Sequence, residues 1–202
     1  MEYTQIGVER RGEVSVITLQ RPEKMNAWTP RMAEEQVHAI EAANADPGIG
    51  AIVMTGSGRG FCGGADTEAV FQSRINGVDP GNDTAGGTGG MPAGVDWVGL
   101  VRASKPMVAA VNGAAVGIGI TMILPFDQIV ASTAARFGTG FIRMGLVPEL
   151  ASSRWLVQRV GFGKASDLIL SGRIIPADEA ASIGLADRVE RAREFRAVSR
   201  KT

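Results

Sequence analysis

The sequence predicts an α/β domain organised around a mostly parallel sheet, and three observations point there. Short β-type runs alternate with helix-like stretches along the chain, the pattern of repeated strand and helix units. AIVMTG, MVAAVNG and QIVAS are apolar over nearly their whole length, which implies strands covered on both faces and therefore an internal layer. At 202 residues the chain fits one domain, or at most two, with enough mass to bury a core without disulfides.

The elements follow in order. VSVITL, Val14 to Leu19, is the first strand, bounded by Gly12 and by Arg21-Pro22. Thr29 as N-cap and Pro30 at the first helical position open a helix that stops near Asp46-Pro47-Gly48, since proline presets the helical φ and lacks only an N–H that would be orphaned there. AIVMTG comes next, and a further helix is expected to begin near Asp66. Gly77 to Gly94 is rich in Gly, Pro and Asp without an apolar period, so it reads as an irregular loop, either a lid or binding element or a disordered segment. MVAAVNG turns at Asn112-Gly113 into a helix near Gly117, and QIVAS is another strand. In GLVPELASS, Pro148 suits the first position of a helix, with Glu149 in its first turn. Residues 1–189 are expected to form the domain; 190–202 belong to a charged tail, RVERAREFRAVSRKT, that is solvated or frayed.

Composition excludes several classes of function. Twenty-one basic residues balance twenty-one acidic ones, so no uniform field draws nucleic acid. A single cysteine, Cys62, and a single histidine, His38, leave no disulfide framework and no metal site of the Cys/His kind. No apolar run approaches the length of a membrane span, and the N-terminus lacks a leader's apolar core. A soluble, cytoplasmic protein with neither a nucleic-acid nor a membrane partner is the expectation. His38 does not share the apolar face of Ala33, Val37 and Ile40 and reads as a solvated helix residue, not as a catalytic base. Proton transfer then falls to a carboxylate beside glycine-rich backbone.

Two glycine-rich turns are the candidates for chemistry. Gly58, Gly60 and Gly63 match G-x-G-x-x-G after AIVMT, yet no second strand ending in an acidic residue follows at dinucleotide-fold spacing. The same region offers Gly63, Gly64 and Ala65, and a second turn offers Gly117, Ile118 and Gly119. Small residues let backbone N–H groups approach a ligand oxygen, so two such turns could form an oxyanion hole; the alternative is that these glycines only permit close packing. Cys62 reads as a packing residue, Asp66 as a helix cap and Asp127 as a structural hydrogen-bonding group.

LQRPEKMNAW, GRGFCGGAD, ASKPMVAAVNGAAVGIGITMILPFDQIVAS, ARFG and RMGLVPELASS, in this order, resemble the crotonase superfamily of enoyl-CoA hydratases and isomerases. The resemblance implies a ClpP/crotonase fold of repeated ββα units and an acyl-CoA thioester as substrate, with coenzyme A entering only as part of it. It further implies oxyanion donors at the Ala65 and Ile118 amides, and a coenzyme A site drawing on Arg21, Lys24, Met25, Ala27, Gly64 and Asp66. Phe141, Leu146 and Trp155 would line the acyl pocket, and a homotrimer or hexamer would be the assembly. Hydratases of the family use two glutamates; the matching positions here hold Thr121 and Phe141. Glu149 remains, at the position used by the branch similar to peroxisomal 3-enoyl-CoA to 2-enoyl-CoA isomerases. Double-bond isomerisation is therefore the leading expectation, with hydration through one glutamate or non-catalytic acyl-CoA binding as alternatives. Members usually continue past GLADRV with further helices, so exposed apolar surface and self-association are expected.

Overall fold

The computed structural model describes residues 1–72, 91 and 94–191. The loop expected over Gly77–Gly94 lies almost entirely outside the described residues, as does the tail beyond Arg191.

The chain opens with a hairpin, β1 (Ile6–Arg11) against β2 (Val14–Leu19), the only antiparallel pair of the main sheet, turning at Gly12 with φ 60°. α1 (Pro30–Ala45) starts where the sequence places it: the Thr29 hydroxyl accepts from Met32 N at 3.0 Å. Its buried face carries Met32, Gln36, Ile40 and Ala43, a spacing of three and four that lays one stripe on the sheet. His38 is half-buried rather than free in solvent, its Nδ1 paired with the Tyr3 hydroxyl at 2.8 Å.

Three strands then repeat one manoeuvre. β3 (Ala51–Gly56), β5 (Met107–Val111) and β7 (Gln128–Ser132) lie in the main sheet, and each is followed at once by a three-residue strand of a second sheet: β4 (Gly60–Cys62), β6 (Ala114–Val116) and β8 (Arg136–Gly138). The main sheet runs β1-β2-β3-β5-β7-β10, with β10 (Arg188–Glu190) at its edge, parallel from β2 onward; the second runs β4-β6-β8-β9, closed by antiparallel β9 (Ile174–Pro176). This is the expected ββα repetition. Each pair ends in a helical turn: a π-helical segment (Glu68–Gln72), α3 (Ile118–Thr121) and a 3-10 turn (Phe141–Met144). Residues 58–63 therefore run from the β3–β4 connection through β4 itself, a strand-to-strand passage unlike the strand-to-helix turn of a dinucleotide site.

The junction between the sheets is held by side chains that satisfy exposed loop backbone. Asn112 accepts from Gly56 N and donates to the carbonyls of Gly58 and Gly60. Glycine is required where the layers touch: a Cβ on Gly119 would run into the Cys62 carbonyl, and one on Gly113 into that of Arg59. α2 (Trp97–Ala103) leads into β5, α4 (Ser152–Val160) and α5 (Phe162–Ser171) lie between β8 and β9, and α6 (Ala177–Ser182) follows β9. Arg159 ties α4 back by donating to the carbonyls of Leu124 and Phe126, and Asp127 accepts from Met107 N at 2.8 Å, the structural role expected of it. No helix among the described residues is long and apolar enough to cross a membrane.

Candidate active site

Two backbone turns meet at the end of the second sheet. Gly64, with φ 119°, and Gly117, with φ 55°, adopt angles open to glycine, and a Cβ on Gly117 would sit 3.9 Å from Gly64 Cα. Ala65 forms an isolated parallel bridge with Trp28, in which Gly64 O accepts from Trp28 N and Asp66 N donates to Trp28 O, both at 2.8 Å. A parallel bridge uses the neighbours of the paired residue, so the N–H of Ala65 itself faces the other way. Ile118 is the first residue of α3, and its amide is one of the donors a helix leaves without an internal partner. Among the described residues neither amide has an acceptor.

Glu149 reaches the same place from the other side of the chain. The residues after it, Leu150 (φ 54°) and Ala151 (φ 52°), both take left-handed backbone, which costs a non-glycine residue about 1–2 kcal/mol each. The expected helix start at Pro148 is thereby displaced: α4 begins only at Ser152, so Glu149 lies in an irregular segment, not in a first helical turn. Its half-buried carboxyl accepts a hydrogen bond from the Thr121 hydroxyl at 2.6 Å. Burial is the main influence and outweighs the hydrogen bonds that favour the charged form, so the carboxyl titrates well above the ordinary glutamate range, at about 7. Thr121 closes α3, one turn after Ile118. The hydroxyl that holds the carboxyl and the Ile118 amide therefore sit on one helical turn.

The loop expected to hold coenzyme A is tightly braced. Asn26, fully buried, donates to the carbonyls of Ser57 and Gly60 and accepts from Arg21 N. Arg21, expected near phosphate, has its guanidinium engaged internally by the Ala27 carbonyl at 2.6 Å and by Asp66 at 2.8 Å. Asp66 also accepts from the amides of Glu68 and Ala69, capping the segment after it. Burial raises its proton affinity, but Arg21 and the amides prevail and hold its carboxyl below the usual range. These two residues tie the Gly64 turn to the 21–27 loop. Lys24 is exposed, and Met25 and Ala27 are half-buried beside them; Met25 is left-handed at φ 54° and its Cε packs against Gly60.

Among the expected pocket residues, Phe141 is buried directly after the segment that passes the Gly117 turn. Leu146 is 42% exposed, outside any closed apolar wall. Trp155 is half-buried on the first turns of α4, with the guanidinium of Arg102 5.6 Å from its ring centre. Cys62 is fully buried and its thiol is pushed up to about 11 by burial, an inert packing group. Sequence reading missed the pairing of Thr121 with Glu149, because the partners lie 28 positions apart. A hydroxyl standing where the resemblance places a carboxylate was the signal available.

Paired ββα turns over a junction of glycine-backed loops define a crotonase-fold protein, and solved structures agree. An enoyl-CoA hydratase/isomerase from Pseudoalteromonas atlantica superposes with a TM-score of 0.84 at 34% identity, covering 97% of this chain and 74% of that one. The enoyl-CoA hydratase/isomerase family model matches residues 9–201, and the chain belongs to that family. A probable enoyl-CoA hydratase of Rhizobium meliloti is 39% identical over 189 residues, 94% of this chain and 70% of that protein. Another, of Mycobacterium bovis, is 34% identical over the whole chain and 75% of its own length.

Proposed function

We propose that this protein moves the double bond of an enoyl-CoA from the 3- to the 2-position, with Glu149 as the only acid/base and the Ala65 and Ile118 amides as oxyanion donors. The observation that carries this is a half-buried carboxyl with a proton affinity near neutrality, held by the Thr121 hydroxyl one helical turn from the unpaired Ile118 amide. Glu149 takes the proton from the carbon beside the thioester carbonyl, and the electron pair spreads into a dienolate whose oxygen receives both N–H groups. The same carboxylic acid then returns the proton two carbons further on and regenerates the carboxylate. Each oxyanion donor is worth roughly 3–4 kcal/mol in such a site, and a base with a pKa near the working pH gives up little of its population.

Incubation with 3-enoyl-CoA in heavy water, followed by mass analysis, tests the reading: the 2-enoyl isomer forms, with deuterium in carbon to the extent that the Glu149 proton exchanges with solvent before it is returned. Glu149→Gln should lower turnover by about a thousandfold; a variant that still exchanges carbon-bound protons removes Glu149 from the mechanism. A second reading, hydration of a 2-enoyl-CoA, is favoured by the names of the relatives and would yield a 3-hydroxyacyl-CoA when 2-enoyl-CoA is supplied instead. Tight binding without exchange would mark a non-catalytic acyl-CoA binder.

Self-association, as a trimer or hexamer, belongs to the same proposal. Ile142, Met144, Val147, Phe162, Leu170 and Ile174 are 50–86% exposed, more apolar surface than an isolated subunit usually leaves in water. A strictly monomeric species in analytical ultracentrifugation at micromolar concentration would contradict it.

A further inference from the structure

Thr121 is fully buried, and its hydroxyl proton goes to Glu149, not to a carbonyl of its own helix. A threonine inside a helix commonly donates back to the carbonyl four residues earlier. Here that carbonyl is Gly117 O, which already accepts from Ile120 N and Thr121 N, both at 3.1 Å, so its two lone pairs are occupied. The Thr121 Oγ–H instead reaches Glu149 Oε1 at 2.6 Å. On the other side, Leu150 and Ala151 fix the backbone behind the glutamate in a conformation that few residues populate.

We infer that Thr121 is a positioning residue for the proton shift: by donating to Oε1 it fixes the carboxyl rotamer and leaves Oε2 as the oxygen that takes up and returns the substrate proton. The inference rests on the reading of Glu149 as the acid/base. With Oε1 engaged as an acceptor, the neutral carboxylic acid carries its proton on Oε2. The same atom then removes the proton at one carbon and delivers it at the other, so the carboxyl need not turn between the two steps. Thr121 also offsets part of the cost of ionising a buried carboxyl, because a hydroxyl donor favours the charged form. No charged side chain of the described residues adds to this: burial, the Thr121 hydroxyl and the local backbone N–H are what act on the carboxyl.

The test compares Thr121→Val and Thr121→Ser by the pH profile of isomerisation. Valine keeps the shape and deletes the donor, so the midpoint of kcat/KM should move upward by about one pH unit, the equivalent of losing one hydrogen bond to a charged group. In the same variant kcat should fall about tenfold with KM little changed; serine should restore both. Thr121→Ala deletes the hydroxyl with less bulk and serves if valine prevents folding. A folded hydroxyl-free variant with an unmoved midpoint and kcat within twofold would overturn the inference and reduce Thr121 to core filling. Glu149→Gln keeps the two readings apart: an inactive Gln variant beside an unaffected Val variant sinks only the role of Thr121, whereas an active Gln variant sinks the acid/base reading itself.

Discussion

Asp66 follows the Gly64 turn, Glu149 is bonded to the helix that follows the Gly117 turn, and the two carboxyls are treated in opposite ways. Asp66 is almost fully enclosed, yet it accepts from Arg21 and from two backbone amides, so its carboxyl is held in the charged form. Glu149 receives one side-chain donor, a neutral hydroxyl, and burial, the main influence on it, pushes its carboxyl up to about 7. Burial pushes both carboxyls up; at Asp66 a cation and two amides reverse that, and at Glu149 a single neutral hydroxyl does not. The difference separates a carboxylate that holds two loops together from one left able to exchange a proton near neutral pH.

Breaking the braced side should destabilise the fold. Asp66→Asn keeps an oxygen for the capping amides but removes the charge facing Arg21, whose side chain is 17% exposed. Orphaning a cation in a buried pair costs about 3–5 kcal/mol, and this partly exposed one should cost about 2 kcal/mol, read as a lower urea midpoint with an unchanged slope. The sign follows from a folded carboxyl below its unfolded value. The stabilisation is present at neutral pH and disappears as pH falls below about 4, so variant and parent should converge in acid. Equal stability of the two at pH 7 would mean that the Arg21–Asp66 pair contributes nothing to joining the loops.

The opposite change on the other side should stabilise. Glu149 is charged in the unfolded chain above about 4.5 but keeps its proton in the folded one up to about 7. Raising pH through that window therefore costs stability, and above it the full penalty remains. Glu149→Gln removes the penalty: the variant should match the parent near pH 4 and exceed it by about 1–3 kcal/mol at pH 8, after allowance for partial solvent access. Calorimetry at the two pH values checks this. A Gln variant that melts below the parent at pH 8 would show that ionised Glu149 is comfortably solvated, and the contrast with Asp66 would collapse.

What the sequence made legible, and what it hid, follows the range of the interactions. β2 and the start of α1 were readable because an apolar run and a Thr-Pro pair decide them within a few residues. β1 was missed, since IGVERR buries only its first residue and shows no alternation worth reading. The second sheet was hidden for another reason: strands of three residues such as GFC, AAV and RFG are shorter than one pattern period needs. At the site, glycines and Glu149 were visible as residue types. The ion pair that occupies Arg21 and the hydroxyl that meets Glu149 join positions 45 and 28 residues apart, distances at which local sequence carries no signal. Pro148 misled for a related cause: the left-handed pair after Glu149 delays the helix, and neither Leu nor Ala announces that conformation.

That left-handed pair also yields the smallest and sharpest of the expected effects. Ala151 is exposed and holds φ 52° as the residue preceding α4, a position where glycine escapes the clash between Cβ and carbonyl. Ala151→Gly should relieve strain and, after the entropy that glycine adds to the unfolded chain, stabilise by less than about 1 kcal/mol, a rise in Tm of about 2–4 °C at most. If the backbone behind Glu149 serves only to end a loop, turnover will be unchanged. If it serves to hold the carboxyl against Thr121, the freer glycine hinge should lower kcat a few-fold while the protein becomes more stable, a combination that no general loosening of the fold would produce.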